Sequence, residues 1–144
     1  MIDAPEPLRY TGHLIRRAEQ RHVSAWQSHS PEATNVQFAA LSVIARLPGA
    51  SQRELGDELD LDRSTIADLV RRLEGNGLIT RDGSTVDRRR FELYLTEAGR
   101  NELERLRPIA LLIEEELFGG MSAEDLATFR RLLKTMLRLP ASVP

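Results

Sequence analysis

Arginine supplies almost all of the positive charge of this chain, and it is concentrated in one segment. The 20 basic residues comprise 19 Arg and a single Lys, Lys134, and four of the Arg lie within Arg81–Arg90. A guanidinium presents a planar fork that suits phosphate oxygens and guanine edges. The segment is therefore a candidate for contact with nucleic acid, although a coding preference for Arg would give the same composition. The net charge of −2 argues only weakly against DNA, which responds to the local field.

Other kinds of chemistry find little support in the sequence. The absence of Cys excludes disulfides, thiolate metal sites and thiol redox sensing. His13, His22 and His29 lack the close spacing of a metal site such as His-x-x-x-His. We find no phosphate-binding loop, nucleophile elbow or metalloprotease motif. We therefore expect neither an enzyme nor a bound metal or cofactor.

The arginine-rich segment lies between two predicted strands. Residues 78–81 form a short apolar and β-branched run, and Phe91, Leu93 and Leu95 alternate with polar neighbours, which is the period of a half-buried strand. The polar loop between them carries Asp87 and the three arginines that follow it. This arrangement predicts a β-hairpin with a cationic loop. A solvated charged turn is the alternative.

On both sides of this hairpin, apolar residues recur at the spacing of helices. Ser51 and Glu54 form a capping box that starts a short helix, and a tight turn at 60–62 separates it from a longer one. Two helices joined in this way fit a helix-turn-helix, although an ordinary helical hairpin would look similar. Pro108 predicts a bend in the fifth helix. The helices are expected at 8–27, 35–47, 52–59, 63–75, 97–118 and from the Ser122 cap to about 138.

The predicted fold is mainly α with a small β-hairpin, a winged helix-turn-helix with additional helices at both ends. The 144 residues fit a single domain, 1–144, in which 35–96 would be the winged part. No apolar run approaches the ~20 residues that a membrane span requires, and the N-terminus lacks the pattern of a signal peptide. We expect a cytoplasmic protein that has no contact with membranes.

Two segments resemble a known family. The run from Leu61 to Ile79 is similar to the recognition helix and its exit in MarR-family regulators. Asp87-Arg88-Arg89, followed by Leu93 and by Leu95-Thr96-Glu97-Ala98-Gly99, matches the wing signature of that family. The resemblance implies a DNA-binding transcriptional regulator, expected to be a repressor, that binds a palindromic operator as a homodimer.

The resemblance also implies which helices pair the two subunits. Residues 8–27 and 97–138 would form the dimer, and their apolar stripes have no other evident partner in the sequence. A helical cap folded onto the same chain is the alternative. A winged domain that binds proteins, without operator specificity, is the alternative function.

The resemblance implies roles for residues of the helix-turn-helix and the wing. Arg89 would enter the minor groove, and Asp87 would brace the wing arginines. Many family members have Arg where this chain has Asp68, which could accept from a cytosine amino group or pair with a neighbouring Arg. The DNA-binding candidates are Ser51, Gln52, Arg63, Ser64, Thr65, Asp68, Arg71, Arg72, Arg88, Arg89 and Arg90.

Cationic and aromatic residues of the first helix suggest a ligand. The run 14–20 with the later Trp26 resembles MarR-type regulators of aromatic-acid breakdown, which release DNA on binding a small aromatic acid or its thioester. A cation beside apolar and aromatic walls suits a ring that carries a carboxylate. Surface charges and interface histidines are the alternative interpretation. The ligand-binding candidates are His13, Arg16, Arg17, His22, Trp26 and Phe38.

Overall fold

The computed structural model describes residues 5–87 and 89–140, so Arg88 lies outside the described residues. A 3-10 turn at Glu6–Arg9 precedes the first helix. The α-helices are α1 Thr11–His29, α2 Asn35–Arg46, α3 Gln52–Leu59, α4 Arg63–Gly75, α5 Glu97–Phe118 and α6 Ala123–Met136. The strands are β1 Ala50–Ser51, β2 Ile79–Gly83 and β3 Phe91–Leu95. This order is that of a winged helix-turn-helix flanked by helices, as the sequence predicts.

Side-chain caps determine where five of the helices begin. In each case the side-chain oxygen of the N-cap residue accepts a hydrogen bond from the backbone N–H three residues later, which satisfies one of the free donors of the first turn. The N-cap residues are Thr34 for α2, Ser51 for α3, Asp62 for α4, Thr96 for α5 and Ser122 for α6, with distances of 2.8–3.1 Å. Local sequence therefore places these starts correctly.

The helical start at the N-terminus differs from the prediction. We expected one helix from residue 8 to 27, whereas Tyr10 is extended, with φ −102° and ψ 124°, and separates the 3-10 turn from α1. At its other end α1 continues to His29, past the polar residues that were expected to break it. The predicted boundaries were therefore wrong by two or three residues at each end.

The core forms where α2 is surrounded by the other elements. Leu41 and Ile44 of α2 are fully buried, together with Leu55 of α3, Leu73 of α4 and Leu106 of α5. The spacing of Leu103, Leu106 and Ile113 predicts an apolar seam along α5 that packs against another helix. These residues are buried, and α5 packs on α1 and α2 of the same chain. The helix runs through Pro108 without ending.

The sheet has three strands, one more than the hairpin that we predicted. The order is β1-β3-β2, with both pairs antiparallel. Ala50 and Ser51 of β1 pair with Leu93 and Glu92, and two residues are too few to show a period in the sequence. Leu93 is fully buried against the helices, so β3 joins the wing to the core.

Phe91 was expected to face the interior, and this expectation was wrong. Phe91 is 47% exposed, and it lies at the loop end of the hairpin, where it pairs with Gly83. The Arg81 guanidinium lies 4.8 Å from the centre of the Phe91 ring, in a cation–π contact between β2 and β3. The Arg81 side chain also lies 3.8 Å from the Glu74 carboxylate.

The last helix contributes almost nothing to the core. No residue of α6 is buried, and its ring contact is between Phe129 and Phe118, with centroids 6.1 Å apart. Leu132, Met136 and Leu137 are exposed, and so are Leu111 and Leu112 of α5. Among the described residues no helix combines the length and apolar character that crossing a lipid bilayer demands.

Candidate nucleic-acid interface

Helix α4 begins at an acidic cap that organises its first turn. Oδ1 of Asp62 accepts from the Thr65 backbone N–H at 2.8 Å and from the Ser64 hydroxyl at 3.0 Å. The bonds from Thr65, the largest cause, and from Ser64 lower the pKa of the Asp62 carboxyl, since they stabilise its charged form. Asp60 adopts the left-handed conformation (φ 52°) in the turn from α3. The two helices are thereby held as a helix-turn-helix.

One face of α4 is buried and the other is exposed and polar. Ile66, Leu69, Val70 and Leu73 are buried. A shallow surface depression of about 480 Å³ is lined by Thr65, Asp68, Arg71 and Arg72. The exposed residues of this face are the six candidates proposed from the sequence, Arg63, Ser64, Thr65, Asp68, Arg71 and Arg72.

Asp68 and Arg71 form an ion pair on this exposed face. Nη1 of Arg71 donates to Oδ1 of Asp68 at 2.9 Å. The sequence left open whether Asp68 pairs with a neighbouring Arg or stays available for a base, and in the structure it pairs with Arg71.

The side chains at the start of α3 are less exposed for contact with DNA than the sequence suggested. Ser51 and Gln52 are half-buried. The Ser51 hydroxyl accepts from the Glu54 backbone N–H at 3.1 Å, and the Ser51 residue pairs with Glu92 in the sheet. The Ser51 oxygen therefore already caps the helix by accepting this bond.

Ser84 and Asp87 shape the loop of the wing through backbone hydrogen bonds. The Ser84 hydroxyl oxygen accepts from the N–H groups of Val86 and Asp87, both at 3.1 Å. Oδ1 of Asp87 accepts from the Arg89 backbone N–H at 2.9 Å. Asp87 thus braces the backbone that carries Arg89, whereas we expected it to hold a guanidinium. The Arg89 side chain is exposed.

Arg90 has a partner that the sequence did not reveal. Its Nη2 donates to Oε1 of Glu54, on the first turn of α3. The capping box had assigned Glu54 to the start of its own helix. In the structure its carboxylate links α3 to the base of the wing, so Arg90 joins two elements of the proposed DNA surface.

The ligand candidates of the first helix divide into two groups. The Trp26 ring is buried, lies 5.7 Å from the Phe38 ring and donates from its indole N–H to Nε2 of His22 at 3.2 Å. Arg16 and Arg17 are exposed, Arg16 donates to Gln20 at 3.0 Å, and His13 is half-buried. The structure brings Trp26, Phe38 and His22 together, and it leaves the two arginines on the surface of α1.

Comparison with known sequences identifies a family and relatives. Residues 33–91 match the sequence model of the MarR family. The transcriptional regulator HosA of Escherichia coli is 33% identical over 125 residues, which cover 87% of this chain and 93% of HosA. The transcriptional repressor NicR of Pseudomonas putida is 33% identical over 128 residues, covering 88% of this chain and 81% of NicR.

Solved structures with the same fold span almost the whole chain. PcaV of Streptomyces coelicolor in complex with its natural ligand has a TM-score of 0.89 and 33% identity, covering 95% of this chain and 98% of PcaV. BpsR of Bordetella bronchiseptica, whose DNA binding is regulated by 6-hydroxynicotinic acid, has a TM-score of 0.86 and 29% identity, covering 91% and 95%. A MarR mutant of Escherichia coli complexed with operator DNA has a TM-score of 0.83 and 25% identity, covering 94% and 99%.

Proposed function

The chain belongs to the MarR family of DNA-binding transcriptional regulators, and we propose that it represses transcription by binding a palindromic operator as a homodimer. In this proposal each subunit inserts α4 into the major groove and the wing loop into an adjacent minor groove. A small aromatic carboxylate, or its thioester, releases the operator.

The observation that carries the DNA-binding proposal is the pairing of two exposed surfaces on one rigid scaffold. Helix α4 presents a polar face at a capped N-terminus. The wing presents Arg89 on a loop that Asp87 and Ser84 hold in place. The ion pair of Glu54 with Arg90 joins this loop to the helix-turn-helix. In this proposal the N-terminal residues of α4, Arg63, Ser64 and Thr65, reach the base edges.

The proposed dimer rests on apolar side chains that the single chain leaves in water. Leu111 is 71% exposed, and Leu112, Leu132, Met136 and Leu137 are more than half exposed. They lie on α5, on α6 and, for Leu137, at the C-cap of α6, within the range 97–138 expected to form the interface. So many large apolar side chains left in water are unfavourable for a monomer, and a symmetric pairing of identical helices would cover them.

The proposed ligand site uses the aromatic cluster between α1 and α2. Trp26 and Phe38 supply ring faces at 5.7 Å separation. Because Nε2 of His22 accepts from the Trp26 indole, the remaining proton of the neutral imidazole is on Nδ1, where it can meet a carboxylate. The regulation of the similar BpsR by 6-hydroxynicotinic acid supports an aromatic acid as the ligand class.

The test of DNA binding removes the proposed minor-groove contact. The operator is first selected from random duplex DNA with the wild-type protein, and Arg89→Ala is then titrated against it at fixed salt. An arginine that contacts bases contributes ~1–3 kcal/mol, so we expect affinity to fall at least about fivefold. Arg46→Ala removes the same charge from an exposed residue of α2 that belongs neither to the DNA candidates nor to the proposed dimer helices; it is the control and should bind normally.

Salt provides an independent measurement of the same interface. Each neutralised phosphate contributes a slope of about −0.9 in a plot of log affinity against log salt. Wild-type affinity should therefore fall steeply as salt is raised. A shallow slope, or unchanged binding by Arg89→Ala, would contradict the proposed docking.

A further inference from the structure

Asp68 occupies an unusual position for a carboxylate. It lies in the middle of the exposed face of α4, one helical turn after Thr65 and one turn before Arg71 and Arg72. Its side chain is 67% exposed, so burial does not explain its presence. A negative charge on a surface that approaches DNA repels phosphate and weakens binding to any sequence.

The partner of Asp68 suggests what this charge contributes. Arg71 is 73% exposed and is held at 2.9 Å by the carboxylate. A free arginine side chain samples many rotamers, and a charged hydrogen bond restricts them. An exposed pair three residues apart on a helix adds little to folding stability. The pair therefore affects the arrangement of charges on the exposed face of α4 more than it affects the stability of the fold.

We propose that Asp68 determines the sequence specificity of this regulator by positioning Arg71, an inference that rests on the proposed insertion of α4 into the major groove. At a matching site, Arg71 reaches a guanine edge while Asp68 retains its bond to the guanidinium or accepts from a neighbouring cytosine amino group. At any other site Arg71 finds no guanine edge, so no base contact compensates for the repulsion between the Asp68 carboxylate and the phosphates. Asp68 thus lowers binding to unrelated DNA more than binding to the operator.

The experiment measures how one substitution in the protein changes its affinity for two different DNAs. Asp68→Ala is titrated against the operator selected with the wild type and against a random duplex of equal length, at the same salt. Binding to random duplex should strengthen, with a steeper salt slope because the released Arg71 can reach phosphate. The ratio of the two affinities should fall at least about fivefold, the lower end of what one good base contact discriminates. Repeating the selection with the variant should show relaxed preference at one position in each half-site.

Two further variants identify the cause. Glu104→Ala breaks an equivalent exposed pair, Glu104 with Arg107 at 3.1 Å on α5, and should leave the affinity ratio unchanged. In an Arg71→Ala background, Asp68→Ala should no longer relax the preferred base pair. An unchanged ratio in the single variant, or equal strengthening on both DNAs, would overturn the proposal. If the wild type itself selects no site, the proposed operator binding fails first.

Discussion

A single methyl group at Gly99 should destabilise the protein although Gly99 lies inside a helix. Alanine normally stabilises a helix over glycine by ~1 kcal/mol. Here a Cβ on Gly99 would overlap the backbone carbonyl of Leu78, far inside van der Waals contact. The clash is with backbone, so no side-chain rotation relieves it. The carbonyl is also held, because it accepts from the Thr96 N–H at 3.1 Å.

The expected change in the free energy of unfolding follows from these opposing effects. Overpacking a well-filled contact costs ~1–3 kcal/mol, occasionally more, and a rigid backbone neighbour places this site at the upper end. Subtracting the helical gain of about 1 kcal/mol leaves a net loss of about 2 kcal/mol. For a chain of this size that corresponds to a decrease in Tm of about 4–8 °C.

The assay is thermal and denaturant unfolding at one protomer concentration, since the stability of a dimer depends on concentration. Gly75→Ala is the matched control, because Gly75 is also helical and a Cβ there meets no atom within 4 Å. The control should be neutral or slightly stabilising. Equal stability of Gly99→Ala and Gly75→Ala would refute the close approach of α5 to the turn between α4 and β2.

Three further changes test other parts of the account. Hydrogen bonds hold the pKa of the Asp62 carboxyl below its usual value. The charged carboxylate therefore stabilises the fold fully at pH values above the ordinary pKa of Asp, and this stabilisation is lost as the pH falls through the depressed pKa. Asp62→Asn cannot titrate, so it should lose less stability in acid than the wild type when the Tm of both is measured across pH. Leu132→Glu, on the exposed face of α6, should shift the protein toward monomer in sedimentation, and Glu124→Gln should not. As a probe of the proposed ligand site, 6-hydroxynicotinic acid, which regulates the similar BpsR, should raise the Tm of the wild type and raise that of Arg16→Ala less. Equal stabilisation of variant and wild type would exclude a contact between this exposed side chain and the ligand.

Local sequence determined the helices of this fold more fully than it determined the sheet. Helix starts depend on one side chain and a backbone donor three residues away, so Thr34, Ser51 and Thr96 could be recognised as caps directly. The burial of the α5 seam followed from its spacing. By contrast, β1 forms because Ala50 pairs with Leu93, which lies more than forty positions further along the chain. A strand of two residues is too short to show a period in the local sequence.

The candidate site shows the same division between local and distant causes. The pair of Asp68 with Arg71 spans one helical turn, and the sequence offered it as one of two alternatives because residues three apart on a helix are neighbours. The pair of Glu54 with Arg90 could not be found in this way. It depends on how far the hairpin folds back toward α3, which is determined by the antiparallel register of β3 with β1.

The pair of Glu54 with Arg90 changes the interpretation of Arg90 as a DNA contact. From sequence alone, all three consecutive arginines of the wing were candidates for DNA contact, and the family resemblance gave a defined place, the minor groove, to Arg89 alone. In the structure Arg89 is exposed on a loop braced by Asp87, whereas Arg90 is bound to Glu54 of the helix-turn-helix. The Glu54 carboxylate beside Arg90 repels a phosphate that approaches it, so we expect Arg90 to contribute less to binding than Arg89. The register of the sheet therefore gives different tasks to adjacent, chemically identical side chains, with Arg89 proposed to contact DNA and Arg90 holding the wing against α3.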